Sequence, residues 1–412
     1  MSAQDICLPE TVTETGTSLS TLKVALVILA LACGGFGIGT GEFAIMGLLP
    51  EVATTFRVSV PDAGYVITAY AAGVVIGAPL IAVAGAKASR RTLLLILMTV
   101  FAIGNLASAA APSLSSMIVL RFLTGLPHGA YFGVAALVAA SQAPIERRTQ
   151  TVGYVMLGLT VATLLGTPIM AVFGTILSWR VMFFTVGLIG TLTVMLLWLH
   201  LPEDQPHEEV GVMRELIAFT HPQVLLTLLM AATGFGGMFS IFSYIAATAT
   251  DYAHMPVAMV AAIMGLFGLG MNAGNLLGSR MADKSLMGTI GGMLVFNVVI
   301  MTVFGLSAQW PLALCITTFL LGCTFASGPA VQSRLMDVAR DGQTLAAASM
   351  HSAFNIANAI GAWLGGRVLD YGFGYPATGY VGAVLSAVGL GVFIVSWSLD
   401  RRGYSGGMFA EA

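Results

Sequence analysis

Twelve stretches of mainly apolar residues, each close to the length of a bilayer-spanning helix, account for most of this 412-residue chain. A helix needs about 20 such residues to cross a hydrocarbon core roughly 30 Å thick. The stretches run near 24–48, 62–85, 92–111, 115–139, 150–174, 178–201, 223–248, 256–282, 286–307, 310–333, 344–369 and 376–398. Hydrophobic residues make up 57% of the sequence and charged residues 9%, against about 25% charge in a soluble domain. The sequence therefore predicts an all-α integral membrane protein with twelve transmembrane helices. The polar stretch 202–222 separates six spans (22–201) from six (223–398), with polar tails at 1–21 and 399–412. The first tail is Ser/Thr-rich and reads as disordered. The first apolar run is too long for a signal-peptide core of roughly 7–15 residues and reads as a retained span.

Basic residues orient the spans. With the N-terminus in the cytoplasm, thirteen Lys and Arg fall at the inner ends and three (Arg57, Arg180, Arg367) at the outer ends, and Arg121 lies inside a span. This bias places both termini and the central loop in the cytoplasm. The halves also repeat. Gly73, Gly77 and Lys87 align with Gly270, Gly274 and Lys284 at a constant offset of 197 residues, which suggests two pseudo-symmetric halves, as in many secondary transporters. A net charge of −2 argues against a nucleic-acid partner. The four cysteines have no metal spacing, and three of them read as small core residues.

Ionisable groups inside the spans are the functional candidates, because a charge there costs about 2.5–3.5 kcal/mol on insertion scales. Glu42 lies eight residues before Pro50, about 12 Å from the expected outer end of span one. Arg121 enters span four to about 9 Å depth from the same side. A pair between them lowers the cost of both. Such a pair is either a static packing device or a proton-coupling site whose carboxylate titrates as its surroundings change. His128 follows Arg121 by seven residues on the same helical face. It can relay protons, bind substrate or satisfy a neighbouring backbone. Gly125, Gly129 and Gly133 share the stripe at a spacing that lets helices approach closely. Gly158, Gly166 and Pro168 predict a bent, closely packed span five.

Polar and aromatic residues in the spans offer candidate substrate contacts: Asn272, Asn275, Gln332, Asn355 and Asn358, with Tyr70, Tyr131 and Phe132 as pocket aromatics. The amides can equally bond helix to helix. None of the three lysines follows a glycine, so no Walker A phosphate loop is present. The glycines of "GFGIGTGEF" lack dinucleotide-binding spacing, HExxH does not occur, and no catalytic serine motif of GxSxG type lies within the spans. A membrane enzyme is disfavoured, as is a receptor or sensor on the same fold.

Four stretches carry a family resemblance: "GEFAIMGLLPEVA" (41–53), "RFLTGLPHGAYFGVAA" (121–136), "GLTVATLLGTPI" (158–169) and "SAFNIANAIGAWLGG" (352–366). With them the chain resembles the major facilitator superfamily, in its twelve-span drug:proton antiporter branch. It is similar there to bacterial arabinose-efflux-like and chloramphenicol-resistance-like exporters. The third stretch resembles the exporter motif, with Thr167-Pro168 where the family has Gly-Pro. In the gating motif after span two, Ala86 and Ser89 replace the usual Asp and Gly, and the second copy keeps Asp283. The resemblance implies a monomer in the inner membrane, without cofactor, that uses the proton gradient to export a small molecule such as an amphenicol or a sugar. Proton-coupled import or facilitated passage on the same fold is the alternative. Glu42, Arg121 and His128 would couple protons. Lys87, Arg90, Arg91, Arg147, Arg148, Asp283 and Lys284 would close the cytoplasmic side by ion pairs.

Overall fold

A computed structural model describes residues 21–85, 87–204, 213, 217, 220–339 and 342–401. Of the expected tails at 1–21 and 399–412, residues 1–20 and 402–412 lie outside the described residues, as do nearly all of the central loop and Ala86 of the gating motif, whereas Thr21 opens the first helix and residues 399–401 close the last. Among the described residues there is no strand. Eleven helices among the described residues are long and apolar enough to cross a membrane: α1 (Leu22–Phe56), α2 (Tyr65–Ala84), α3 (Arg90–Ala109), α4 (Leu114–Ser141), α5 (Ile145–Met170), α6 (Trp179–His200), α7 (Pro222–Tyr252), α8 (Val257–Lys284), α9 (Leu286–Ser307), α10 (Pro311–Val338) and α12 (Pro376–Arg401). Between them runs α11 (Gln343–Asp370), 28 residues long. It is less apolar because its buried face carries Ser349, His351, Ser352 and Asn355. A polar face is stable at that depth only against protein, and α11 packs against α7, α4, α2, α10 and α12.

Two spans depart from regular helix where the sequence demands it. Span one does not stop at Pro50. It tightens into a 3-10 turn at Ala44–Leu48 and resumes as Leu49–Phe56, with Pro50 in its first turn, where a missing N–H costs nothing. In α5 a π-helical turn spans Ala162–Gly166 immediately before Pro168, a common accommodation where the i→i−4 ladder is interrupted.

The internal repeat is a packing rule. A Cβ on Gly73 would lie 2.2 Å from the Phe122 carbonyl, and one on Gly77 2.3 Å from that of Leu126, so α2 lies directly on the α4 backbone. The matching Gly270 and Gly274 stand in the same relation to Phe319 (2.0 Å) and Cys323 (2.5 Å), which presses α8 onto α10. Phe319 and Cys323 are themselves 197 residues beyond Phe122 and Leu126. The equivalent glycines thus meet equivalent neighbours in the two halves.

One end of the bundle carries the described chain termini and most of the basic residues, and we call it the basic end. Contacts between the first and last six helices run from that end past the middle of the bundle. Between α5 and α8 they run from Thr149–Asp283 to Leu164–Gly268. Between α2 and α11 they run from the Ala82–Leu345 cluster to Ser352, whose hydroxyl lies 3.3 Å from the Val75 carbonyl. Gly274→Val should cost about 1–3 kcal/mol by overpacking. Gly265→Val on the same helix, where a Cβ meets nothing within 4 Å, should be neutral or mildly stabilising. Thermal melting of the two variants in detergent checks this.

Candidate functional site

The glycine stripe of α4 draws chemistry together as well as backbone. Gly125 lets the Tyr70 carbonyl of α2 approach to within 2.3 Å of where a Cβ would sit. Gly129 admits Ala348 and His351 of α11 in the same way, with the Ala348 carbonyl at 3.0 Å from its notional Cβ. Arg121 and His128, interleaved with these glycines, therefore face α1, α2 and α11 at close range.

The cluster so formed contains Glu42, Tyr70, Arg121, His128, Phe132 and His351, all buried. Arg121 does not form the direct charge pair with Glu42 that their depths predict: among the described residues no carboxylate oxygen lies within 4.0 Å of it. Its Nη2 donates to the Gly41 carbonyl at 3.1 Å, one residue before Glu42. Its guanidinium carbon sits 4.1 Å from the centre of the Tyr70 ring and 5.3 Å from that of Phe183. Ring faces and a carbonyl stabilise a cation while occupying few of its donors, so Nε and Nη1 remain buried without a partner. The neighbouring carboxylate compensates this cation through space rather than by a bond.

Glu42 instead meets His128, with Oε2 3.9 Å from Nδ1. The Tyr70 hydroxyl lies 3.0 Å from the same Nδ1. On the other side of the ring, Nε2 is 3.2 Å from Nδ1 of His351. Phe132 stacks on the His351 ring at 4.3 Å and 17°. A tyrosine and two imidazoles thus form a continuous polar chain from the first six helices to the last six, with a carboxylate beside it. His351 was not singled out from the sequence. Its signal was its place four residues before Asn355, on the face already marked by amides.

The remaining candidates divide by what their polar atoms already bond. Tyr131 donates to the Leu31 carbonyl at 2.8 Å and holds α4 on α1, so its hydroxyl is committed to packing. Asn272 donates to the Thr160 carbonyl (3.0 Å) and the Gly268 carbonyl (2.8 Å), and Asn275 to that of Gly153 (2.8 Å). Both amides thereby join α8 to α5 across the two halves. Gln332 donates to the Ala347 carbonyl, and Asn355 to that of His351 one turn back. The carbonyl oxygens of Asn275 and Gln332 are buried without a partner. Asn358 is half-buried. Gly158 and Gly166 pack α5 on α1, where Cβ atoms would lie 2.0 Å from the Ala32 carbonyl and 2.3 Å from the Thr40 hydroxyl. Gly158 precedes the π-turn, Gly166 is its last residue and Pro168 follows it.

The basic residues at the gate also divide. Arg148 pairs with Asp337 at 2.8 Å, from α5 to α10. Asp283 accepts the backbone N–H of Thr149 (2.7 Å) and Gln150 (3.0 Å), so a carboxylate from α8 caps the first turn of α5, where the helix dipole favours it. Arg90 and Arg91 work differently. Their backbone N–H groups donate to Asp204, and the Arg91 side chain pairs with Glu203 at 2.7 Å, all within the first six helices. Lys87, Arg147 and Lys284 are exposed. Among the described residues no three His, Cys, Asp or Glu side chains are placed to hold a metal ion.

Because Arg121 and Glu42 compensate each other at a distance, their removal should be non-additive. Arg121→Met is expected to lower the melting temperature, and adding Glu42→Gln to restore part of the loss. Melting of both single variants and the double variant reads a coupling of about 0.5–3 kcal/mol.

Residues 31–327 match the family model described as Major Facilitator Superfamily. The chain is 37% identical to the inner membrane transport protein YdhP of Escherichia coli strain K12, over 92% of this chain and 98% of that protein. It is 27% identical to a chloramphenicol resistance protein of Streptomyces lividans, over 90% and 95%. It is also 27% identical to a probable sugar efflux transporter of Helicobacter pylori strain P12, over 91% and 96%. A solved structure of the proton:xylose symporter XylE superposes with a TM-score of 0.73 at 16% identity, covering 92% of this chain and 96% of that one. At that identity the likeness bears on the fold alone. With this fold, these relatives and a buried polar cluster joining two six-helix halves, the chain belongs to the Major Facilitator Superfamily, as a multi-pass membrane transporter of small molecules and not an enzyme.

Proposed function

We propose that this protein exports a small, neutral, amphipathic molecule across the inner membrane in exchange for protons, acting as a monomer. Its basic end and both termini face the cytoplasm, and residues 22–201 and 223–398 rock as two rigid halves. The observation that carries the reading is Glu42. It is a carboxyl group 6% exposed, beside a cation it does not bond and an imidazole at 3.9 Å, and that imidazole meets His351 at the junction of the halves. A carboxyl held there is stable charged while Arg121 compensates it and stable neutral when protonated. Alternating access requires those two states. The bias of basic residues supports the sidedness. The relatives named for chloramphenicol resistance and sugar efflux support the outward direction.

In this cycle the Arg148–Asp337 pair and the Asp283 cap close the cytoplasmic side. Both break when the basic end opens to admit substrate. Arg90 and Arg91, tied within the first half, brace α3 against α6 and travel with it. The substrate would bind between the halves, where the acceptor oxygens of Asn275 and Gln332 come free once their helices part.

A growth-inhibition panel of antibiotics and sugars, with and without the protein, identifies the cargo. Everted vesicles then test the mechanism. With an acidic lumen, the native protein is expected to accumulate that cargo, and Glu42→Gln to lose about tenfold or more of the gradient-driven rate, as for loss of one required proton-transfer group. Accumulation by Glu42→Gln at the native rate would remove Glu42 from the mechanism. Equilibration that ignores the proton gradient would identify a facilitator.

A further inference from the structure

We propose that His351 is the switch through which the proton held near Glu42 opens the basic end: the proton crosses to α11 through His128, and the charge it places on His351 cannot stay buried in the closed interface. The inference rests on the proton-coupled reading above and adds a residue, a route and a reason for the conformational change.

The relay spans the junction of the halves. His351 stands beside His128, its Cβ 3.5 Å from where a Cβ on Gly129, the next residue of α4, would sit, and Glu42 reaches the same imidazole from α1. We assign the tautomers from one end of the chain, since the two contacts fit either set of donors. With Tyr70 donating its hydroxyl proton to His128 Nδ1, Nε2 of His128 carries the proton and donates it to His351 Nδ1. His351 must then hold its own proton on Nε2, and that buried nitrogen has no partner. A proton leaving the Glu42 carboxyl for His128 Nδ1, as the Tyr70 hydroxyl turns away, releases the Nε2 proton of His128 to His351 Nδ1. Glu42 ends as a carboxylate, His128 ends neutral, and His351 becomes an imidazolium.

Nothing in the closed interface balances that imidazolium. Among the described residues no carboxylate lies within 4.0 Å of it. The helices packed on α11 present Tyr70 from α2, and Arg121 and His128 from α4. Acids elsewhere on these helices are already engaged: Asp337 of α10 with Arg148, and Asp400 of α12 with Arg334 of α10. Tyr244 of α7 donates to the Ala362 carbonyl, three turns further along α11. The Phe132 face alone offers a cation weak stabilisation. A charge buried without hydration or a partner is costly, and parting α11 from α4 lets water reach Nε2. A neutral His351 therefore favours closure through its bond to His128, and a charged one favours opening.

The test needs no substrate. Spin labels are placed at Ile145→Cys and Ser285→Cys, exposed positions at the basic end of opposite halves, with the four native cysteines replaced by serine. Their separation is measured in nanodiscs by pulsed dipolar spectroscopy at about pH 8 and about pH 5.5, which bracket ordinary imidazole titration. In the native cluster, acid is expected to raise the ratio of a longer to the shorter distance about tenfold. Glu42→Gln should lose this response. His351→Asn keeps an acceptor for His128 but cannot take the proton on. It should retain the short distance at the higher pH and lose the acid response. His351→Gln serves if the asparagine variant does not fold. An acid response that survives in either folded His351 variant and is lost in Glu42→Gln overturns the switch alone. No acid response in the native cluster overturns the proton-coupled reading, and the switch with it.

Discussion

A guanidinium with no solvent exposure has to be accommodated somewhere in this fold, and Arg121 determines how the first half is built around it. Its place on α4 is set by the stripe of glycines that lets α2 and α11 come within backbone contact. Its charge is met by two aromatic faces, one carbonyl and the field of Glu42. Two of its nitrogens stay unbonded. This is a loose arrangement for a buried ion. A tight bidentate pair would hold Glu42 ionised throughout, whereas a carboxyl compensated across a gap can exchange its proton at smaller cost.

The closed basic end shows how two copies of one repeat take different tasks. In the first half the segment after α2 is bound by Asp204 and Glu203 from the end of α6, so its arginines stay within their own bundle. In the second half the matching segment retains an acid, Asp283, and that carboxylate reaches across to the first turn of α5. The difference follows from the substitution of Ala86 where the second copy has Asp283: without its own acid the first copy has nothing to offer the opposite half. Asn272 and Asn275 extend the same α5–α8 seam inward, so the two halves are joined here by a line of polar contacts rather than by one pair.

The twelve spans were legible because hydrocarbon thickness imposes a length that little else in a sequence imitates. Glu42, Arg121 and His128 were legible because a charged or titratable group in such a stretch has no cheap explanation. What each of them touches was not legible. Seven-residue spacing put Arg121 and His128 on one face, but whether Arg121 would meet a carboxylate, a carbonyl or a ring depends on helix rotation, which periodicity does not encode. His351 was missed because a histidine between Met350 and Ser352 carries no charge pattern of its own. Its meaning comes from His128, 223 residues away. Tyr131, Asn272 and Asn275 looked like pocket residues because an aromatic or an amide in a span suits either role, and in the closed state their donors are engaged with backbone carbonyls.

The claim beneath all of this is that one buried carboxyl group, Glu42, gains and loses a proton within the working range of the cell. Infrared difference spectroscopy on the reconstituted protein addresses it directly, since a protonated carboxyl and a carboxylate absorb at separate frequencies. The account requires a protonated-carboxyl band that grows as the pH falls through that range and is missing from Glu42→Gln. A spectrum in which the native protein and Glu42→Gln show the same carboxyl bands at every pH would mean that Glu42 is fixed in one state, and the coupling assigned to it would be wrong.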